Sequence, residues 1–280
     1  MIRDALRRAA ARFAAAGIDT PALDARLLLM HVSGLPREAL VAEPEAVLPP
    51  EVMARYEALV SARASRQPVA QLTGMREFWG MEFTVTPDVL TPRPETETLV
   101  EAVLRRVPDR EAPMRILDLG TGTGCLLLSL LSELPGARGL GVDASPAALA
   151  VAKANAEALR LSARSHFRLS EWCKEVVGTF EIIVANPPYI PSNAIGALMP
   201  EVAAYEPRMS LDGGMDGLAC YRNIAAELPF HASKGAWIVL EVGEGQHEAV
   251  ADIFMQAGFR LKAVEPDLSG VMRCVTLQSL

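Results

Sequence analysis

The sequence predicts an α/β protein, in which a doubly wound, mostly parallel, seven-stranded sheet follows a small all-helical N-terminal domain and a linking β-hairpin. Residues 1–75 show only helical periodicity, whereas residues 76–95 hold an alternating aromatic and β-branched run that is typical of a hairpin. In residues 96–280 short apolar strands alternate with helices, which is typical of a parallel sheet covered by helices on both faces. We therefore expect a helical domain, a hairpin linker and a sheet domain with these three ranges.

Glycine and proline delimit the helices of the first domain. Apolar residues recur at steps of three and four from Ile2 until Gly17 ends the first helix. Thr20 is expected to cap the second helix, which Gly34 ends. The third helix is predicted over residues 50–66. No strand pattern interrupts them, so we expect a helical bundle that covers another part of the molecule or recognises a substrate.

The sheet domain is read from its apolar runs, each bounded by turn residues. Predicted parallel strands are 115–119, 139–142, 167–169, 180–185 and 237–242, and an antiparallel pair at 259–264 and 271–277 completes the sheet. Predicted helices are 96–106, 125–134, 146–159 and 246–257.

Composition excludes several classes of protein. The net charge of -7 and the pI of about 5.3 disfavour a protein that binds nucleic acid mainly through phosphates. No uncharged apolar run approaches the roughly 20 residues that a membrane span needs. The four cysteines form no CxxC pair, so we expect reduced thiols, no metal site and a cytoplasmic location.

A glycine-rich turn follows the first parallel strand and comprises Gly120-Thr121-Gly122-Thr123-Gly124. Glycine lets the backbone turn and lets a ligand approach the main chain closely. The dinucleotide fingerprint requires glycine or alanine at position 125, where Cys125 stands, and the lysine of a P-loop is also missing. The turn therefore fits a nucleoside without a pyrophosphate, such as S-adenosyl-L-methionine.

Asp143 ends the next strand of the predicted sheet. A carboxylate at that place can accept hydrogen bonds from both hydroxyls of a ribose. The alternative is that Asp143 only caps the following helix, which begins near Pro146.

The loop Asn186-Pro187-Pro188-Tyr189 follows a buried strand and is predicted to share a crevice with the glycine turn, because ligands lie beyond the carboxyl ends of parallel strands. A planar NH₂ group conjugated to a carbonyl or a ring is a poor nucleophile. The Asn186 side-chain oxygen and the Pro187 carbonyl can accept its two hydrogens and direct its lone pair at a methyl carbon. Tyr189 offers a flat face for the planar group. A rigid strand exit is the alternative for Pro-Pro alone.

The combination of glycine turn, Asp143 and the Asn186 loop resembles class I amino methyltransferases, whose fold is Rossmann-like. Further segments resemble the peptide chain release factor glutamine methyltransferase family in particular. They are Pro68–Gly74, Phe78–Gly80, Pro92–Glu97, Glu206-Pro207 with Gly213–Leu218, and Leu240–Gly243 with Gln246.

This resemblance implies transfer of a methyl group from S-adenosyl-L-methionine to the glutamine of the Gly-Gly-Gln loop of bacterial class I release factors. It implies cofactor contacts from residues 120–124, Asp143, the segment around Trp172, and Asn186, and it implies that residues 186–189 hold the glutamine. Trp172 by itself is more typical of a core residue, but it follows the third strand, where the family lines the adenine pocket, and this makes the two roles equally consistent. Glu171 stands where the family usually has aspartate, which puts a contact from this residue to adenine in doubt.

Two further residues and two rival functions stay open at this point. Arg93 and Glu95 either close the pocket over the cofactor or form an ion-paired linker. A DNA or RNA adenine methyltransferase would present the same planar NH₂ on a flipped base, and a non-enzymatic binding module could share the fold. The acidic pI disfavours the first rival, and the retained glycines and Asn186 disfavour the second. We expect a monomer whose partner is a release factor.

Overall fold

The computed structural model describes all 280 residues, and these form two compact units. The smaller unit comprises Met1–Met75 and Met199–Tyr205, and the larger comprises Arg76–Leu198 and Glu206–Leu280. The structure thus groups residues 76–95 with the larger unit and a segment from late in the chain with the smaller one. No helix has both the length and the apolar character that crossing a bilayer requires.

The smaller unit is entirely helical. Its helices are α1 (Ile2–Ala15), α2 (Pro21–Ser33), α3 (Arg37–Ala42), α4 (Pro50–Ala64), α5 (Val69–Thr73) and, from the late segment, Pro200–Ala203, which is α9 in chain order. Phe13, Leu28 and Tyr56 come from three different helices and are fully buried in one cluster. The Tyr56 hydroxyl donates to the carbonyl of Ala25 at 2.9 Å, so its polar atom is satisfied inside that cluster.

Partly buried ion pairs attach the late segment to this unit. The Arg63 guanidinium donates to Asp24 at 2.7 Å and to Glu201 at 2.9 Å, and Arg66 donates to Glu201 at 2.6 Å. Asp24 also accepts the Thr20 hydroxyl at 2.8 Å. The prediction that Thr20 is the N-cap of α2 is confirmed, although its side chain makes no capping hydrogen bond because the hydroxyl donates to Asp24.

The larger unit is built on a seven-stranded sheet of order β5-β4-β3-β6-β7-β9-β8. Its strands are β3 (Met114–Leu119), β4 (Ala137–Asp143), β5 (Ser165–Leu169), β6 (Phe180–Ala185), β7 (Ala232–Glu241), β8 (Phe259–Pro266) and β9 (Met272–Ser279). The first five are parallel, and β9 runs antiparallel to both of its neighbours. The predicted mostly parallel seven-stranded sheet is confirmed.

Helices cover both faces of this sheet. They are α6 (Glu97–Leu104), α7 (Cys125–Glu133), α8 (Pro146–Ala158), α10 (Ala219–Glu227) and α11 (His247–Gln256). Successive strand residues alternate between two hydrophobic clusters, as the pleat requires. Ile116 and Ile182 join the cluster under α6 and α7, whereas Leu117 and Ile183 join the cluster under α10 and α11.

A two-stranded hairpin formed by β1 (Met75–Phe78) and β2 (Met81–Thr84) precedes the sheet. Trp79 and Gly80 both have positive φ, which is what a two-residue type I′ turn between hairpin strands requires. Phe78 and Phe83 are buried with the α6 and α7 cluster, and their rings pack edge to face with centroids 6.2 Å apart. The hairpin therefore packs into the core of the larger unit.

Candidate active site

The candidate site is a cavity of about 360 Å³ in the larger unit, beyond the carboxyl ends of β3, β4 and β6. The sequence order of the strands reverses around β3, and such a switch point is where ligands bind in open α/β sheets. Six of the predicted site residues line this cavity: Gly120, Gly122, Asp143, Trp172, Asn186 and Pro188. The glycine turn and the Asn186 loop thus share one cavity.

Two glycines give the turn its shape. Gly122 has φ +54° and donates its N–H to the Asp143 carboxylate at 2.9 Å. A Cβ on Gly124 would lie 3.3 Å from the Cβ of Ala152 and 3.2 Å from Leu128, and its φ is +79°. Gly124 therefore allows α7 to begin close against α8, and it packs against protein rather than lining the cavity.

Thr121 and Thr123 are almost fully buried and do not line the cavity. The Thr121 hydroxyl donates to Asp118 at 2.6 Å, and the Thr123 hydroxyl oxygen accepts the N–H of Cys125 at 3.3 Å. Burial raises the pKa of Asp118 to about 7, and the Thr121 hydrogen bond opposes that rise. These threonine side chains stabilise the turn, so a cofactor contact from either residue would have to come from its main chain.

Asp143 joins the glycine turn to α8. Its two carboxylate oxygens accept the N–H of Gly122 and that of Ser145, each at 2.9 Å. Burial raises the pKa of Asp143, and these backbone hydrogen bonds lower it. The side-chain cap of α8 is Ser145, which accepts from Ala148. Asp143 is therefore more than a helix cap, and the second lone pair of each oxygen can still accept from a ligand.

Trp172 lies beside the glycine turn in an uncommon backbone conformation. Its φ is +52°, which is rare for a bulky residue and costs backbone energy. A Cβ built on Gly120 would lie 3.8 Å from its ring. Ser170 holds the turn by donating to the Trp172 carbonyl at 2.8 Å, and Glu227 accepts the N–H of Cys173 at 2.8 Å. Neither holding residue was predicted, because no local pattern marks them.

Glu171 also borders the cavity, but its side chain is mostly exposed and pairs with Lys174 at 2.6 Å.

The buried carboxylate of Glu241 fixes the Asn186 loop through hydrogen bonds on the side away from the cavity. The Asn186 Nδ2 donates to the Thr96 Oγ1 at 3.1 Å, and the Thr96 hydroxyl donates to Glu241 at 2.5 Å. The Tyr189 hydroxyl donates to the other oxygen of Glu241 at 3.3 Å. Gln246 donates to the Tyr189 carbonyl at 3.0 Å. Both ends of the loop are thus fixed to the carboxyl end of β7.

Pro187 and Tyr189 do not line the cavity. Pro187 is buried, and the Tyr189 ring packs against the α10 and α11 cluster. The predicted stacking of a planar substrate group on Tyr189 stays a prediction.

Sequence reasoning named neither Thr96 nor Glu241 as a site residue. A signal existed for Glu241, since an acid directly after the buried apolar run Ile238–Leu240 must find partners. Thr96 lies in the Pro92–Glu97 segment that carries the family resemblance, but nothing in that segment distinguished it as a site residue.

Two turns that were not predicted as parts of the site form further walls of the cavity. Asp88, Val89 and Leu90 form one wall, and residues 207–212 contribute another. Glu206 joins these turns, because its buried carboxylate accepts the N–H of Thr91 at 3.0 Å and pairs with Arg93 at 3.1 Å. Arg93 is therefore ion-paired, as one of the two alternatives required, but its partner is Glu206 and not Glu95.

Comparison with known proteins gives consistent matches along the chain. The family described as "PrmC N-terminal domain" matches residues 4–74, and the family described as "Methyltransferase small domain" matches residues 95–203. The release factor glutamine methyltransferase of Cereibacter sphaeroides is 48% identical over 98% of this chain and 96% of its own. That of Rhodospirillum rubrum is 45% identical over 96% of this chain and 82% of its own.

Among solved structures, the hMettl16 catalytic domain, in complex with an RNA hairpin, superposes with a TM-score of 0.59. Its sequence is 16% identical, and the match covers 77% of this chain and 80% of that one. At this identity the likeness shows the fold alone.

Proposed function

This chain belongs to the release factor glutamine methyltransferase family, and we propose that it methylates the glutamine of the Gly-Gly-Gln motif in bacterial class I release factors. The methyl group would pass from the sulfonium sulfur of S-adenosyl-L-methionine to the side-chain amide nitrogen, which would lose one of its two hydrogens to solvent as a proton. The observation that carries this proposal is the placement of Asn186 and Pro188 on the same cavity as Gly120, Gly122 and Asp143.

The residues around the glycine turn fit the cofactor. Asp143 offers carboxylate lone pairs suited to ribose hydroxyls, and the Trp172 ring offers a flat apolar face suited to adenine. The main chain at Gly120 and Gly122, which line the cavity, lets a ligand approach closely. When bound, S-adenosyl-L-methionine supplies an electrophilic methyl group.

The protein's part in the reaction is to orient a weak nucleophile. In this proposal the Asn186 Oδ1 accepts one hydrogen of the substrate amide. The other hydrogen is accepted by the carbonyl of Pro187, whose peptide bond leads to Pro188 on the cavity wall. Two acceptors in fixed directions favour a pyramidal nitrogen whose lone pair points at the methyl group. Because Pro187 and Pro188 have a fixed φ, the carbonyl between them stays in place.

The same proposal assigns partner recognition to the N-terminal helical unit. It also includes a monomeric enzyme that acts in the cytoplasm on a protein rather than directly on nucleic acid.

Transfer of labelled methyl groups tests the substrate. We expect incorporation into a class I release factor, located by mass spectrometry on the glutamine of Gly-Gly-Gln. A release factor with that glutamine replaced by glutamate is the matched control and should stay unlabelled. Label that enters DNA or RNA and not the release factor would overturn the proposal in favour of an adenine methyltransferase.

A further inference from the structure

A buried chain of hydrogen bonds lies behind Asn186, and we define it as the orienting chain: Asn186, Thr96 and Glu241. Thr96 is 3% exposed and Glu241 is 1% exposed, so water does not compete for these bonds. Residues 96 and 241 are 145 positions apart in the sequence, yet their side chains are only 2.5 Å apart. The chain ends at the one side chain of the 186–189 loop that both lines the cavity and carries an amide.

The direction of each hydrogen bond follows from the chemistry of the groups. An ionised carboxylate only accepts, so Thr96 must donate its single hydroxyl hydrogen to Glu241. The Thr96 oxygen can then only accept from Asn186, which selects Nδ2 rather than Oδ1 for that side. The amide oxygen of Asn186 is consequently left on the other side of the group.

This selection is necessary because the two ends of an asparagine amide have nearly the same shape. Steric packing alone would accept either orientation of Asn186. The flipped orientation would present NH₂ to a substrate NH₂, and two donors cannot pair. Only the polarity imposed through Thr96 distinguishes the two.

Resting on the proposed function, we infer that Glu241 is a positioning residue that acts through Thr96 to keep the Asn186 oxygen directed at the substrate amide. The same carboxylate accepts the Tyr189 hydroxyl at 3.3 Å, so one side chain fixes both ends of the loop that carries the Pro187 carbonyl. Glu241 itself does not line the cavity.

Steady-state kinetics with a release factor test the orienting chain. Thr96→Val removes the hydroxyl at nearly constant volume, and Glu241→Gln removes the charge. We expect kcat to fall by about tenfold or more in both variants, because a misdirected acceptor loses transition-state stabilisation. The dissociation constant for S-adenosyl-L-methionine should stay within about twofold, since the glycine turn is untouched.

Conservative rescue and stability separate positioning from a merely structural role. Thr96→Ser keeps the hydroxyl and should recover most of the lost kcat. Glu241→Gln relieves the burial of a charge, so its melting temperature should be unchanged or higher while kcat falls. Thr276→Val is the matched control, since Thr276 is a fully buried threonine, in β9, that does not line the cavity. Its kcat should equal that of the wild type.

A readout without turnover distinguishes failure of this inference from failure of the proposed function. In NMR spectra the side-chain NH₂ signals of Asn186, identified by their loss in Asn186→Ala, should be protected from solvent exchange in the wild type. That protection should be lost in Thr96→Val. A freely exchanging Asn186 amide in the wild type, or wild-type kcat in both Thr96→Val and Glu241→Gln, would overturn the orienting chain. Absence of release factor methylation by the wild type would instead overturn the proposed function.

Discussion

Two buried carboxylates at the carboxyl ends of parallel strands invite comparison. Asp118 near the end of β3 and Glu241 at the end of β7 are both almost fully buried, and burial raises the pKa of each to about 7. Each accepts a threonine hydroxyl, from Thr121 at 2.6 Å and from Thr96 at 2.5 Å. The local chemistry of the two groups is therefore nearly the same.

Their connections differ. Asp118 and its threonine are three positions apart, and their bond closes a single turn. Glu241 reaches a threonine from a distant segment, and that threonine passes the polarity on to Asn186. The first carboxylate stabilises a turn, whereas the second orients a side chain that faces the cavity. The role of each buried carboxylate therefore depends on its threonine partner: Thr121 belongs to the glycine turn, whereas Thr96 accepts a hydrogen bond from Asn186.

The largest expected effect on turnover comes from replacing Asn186, the residue of the orienting chain that faces the cavity. Asn186→Ala should lower turnover by at least ~10²-fold, as loss of one positioned polar group in an active site does. The dissociation constant of the cofactor should change little, because Asp143 and the glycine turn remain. Single-turnover rates and calorimetry measure the two quantities, and unchanged turnover would contradict the orientation of the substrate amide by Asn186.

The second effect concerns cofactor affinity on the glycine-turn side of the cavity. Asp143→Ala should weaken binding of S-adenosyl-L-methionine by about 1–3 kcal/mol, the scale of a lost hydrogen bond to a charged group. Asp216→Ala is the control, since Asp216 is an exposed acid that pairs with Arg222 and does not line the cavity. Equal affinities in wild type and Asp143→Ala, measured by calorimetry, would refute a ribose contact.

The contrast between the two acids also separates what the sequence could predict from what it could not. The glycine turn and the Asn186 loop are contiguous motifs at strand ends, so parallel-sheet topology alone brings them together. The Thr121 side chain is buried away from the cavity because its hydroxyl donates to Asp118. The positive φ of Trp172 depends on hydrogen bonds made by Ser170 and Glu227. Such contacts are set by packing in three dimensions and have no local sequence pattern.

Acid pH should weaken the orienting chain, because Glu241 becomes protonated. Burial raises the pKa of Glu241 to about 7, while the Thr96 hydrogen bond and Arg273 lower it. Once protonated, Glu241 carries its own hydrogen, and Thr96 is no longer forced to accept from Asn186. The charged and titratable groups that face Glu241 from other elements are Arg273, Glu95, Tyr189, Tyr221 and Cys125.

The ratio of wild-type kcat to Glu241→Gln kcat isolates this titration from all others. It should fall by up to about tenfold between pH 8 and pH 6, since one pH unit below its pKa a group is about nine-tenths protonated. A ratio that is constant over this range would show that the charge of Glu241 does not control the orientation of Asn186.

The smallest expected effect is on the stability of the Asp118 turn. The folded-state pKa of Asp118 lies above the usual value of 3.8, so the native protein binds more protons than the unfolded chain between those two values. The penalty from its burial is therefore greatest above pH 7, and it declines as the pH falls through about 7.

Relative to Asp118→Asn, the wild type should gain about 1 kcal/mol in free energy of unfolding between pH 7 and pH 6. Denaturant titrations of both proteins at the two pH values measure this difference, and parallel pH profiles would mean that Asp118 is ionised in the folded protein. A fully buried charge on Asp118 would then be stabilised only by the Thr121 hydroxyl and the backbone N–H of Leu127, and Asp118 would differ from Glu241 in its state of ionisation.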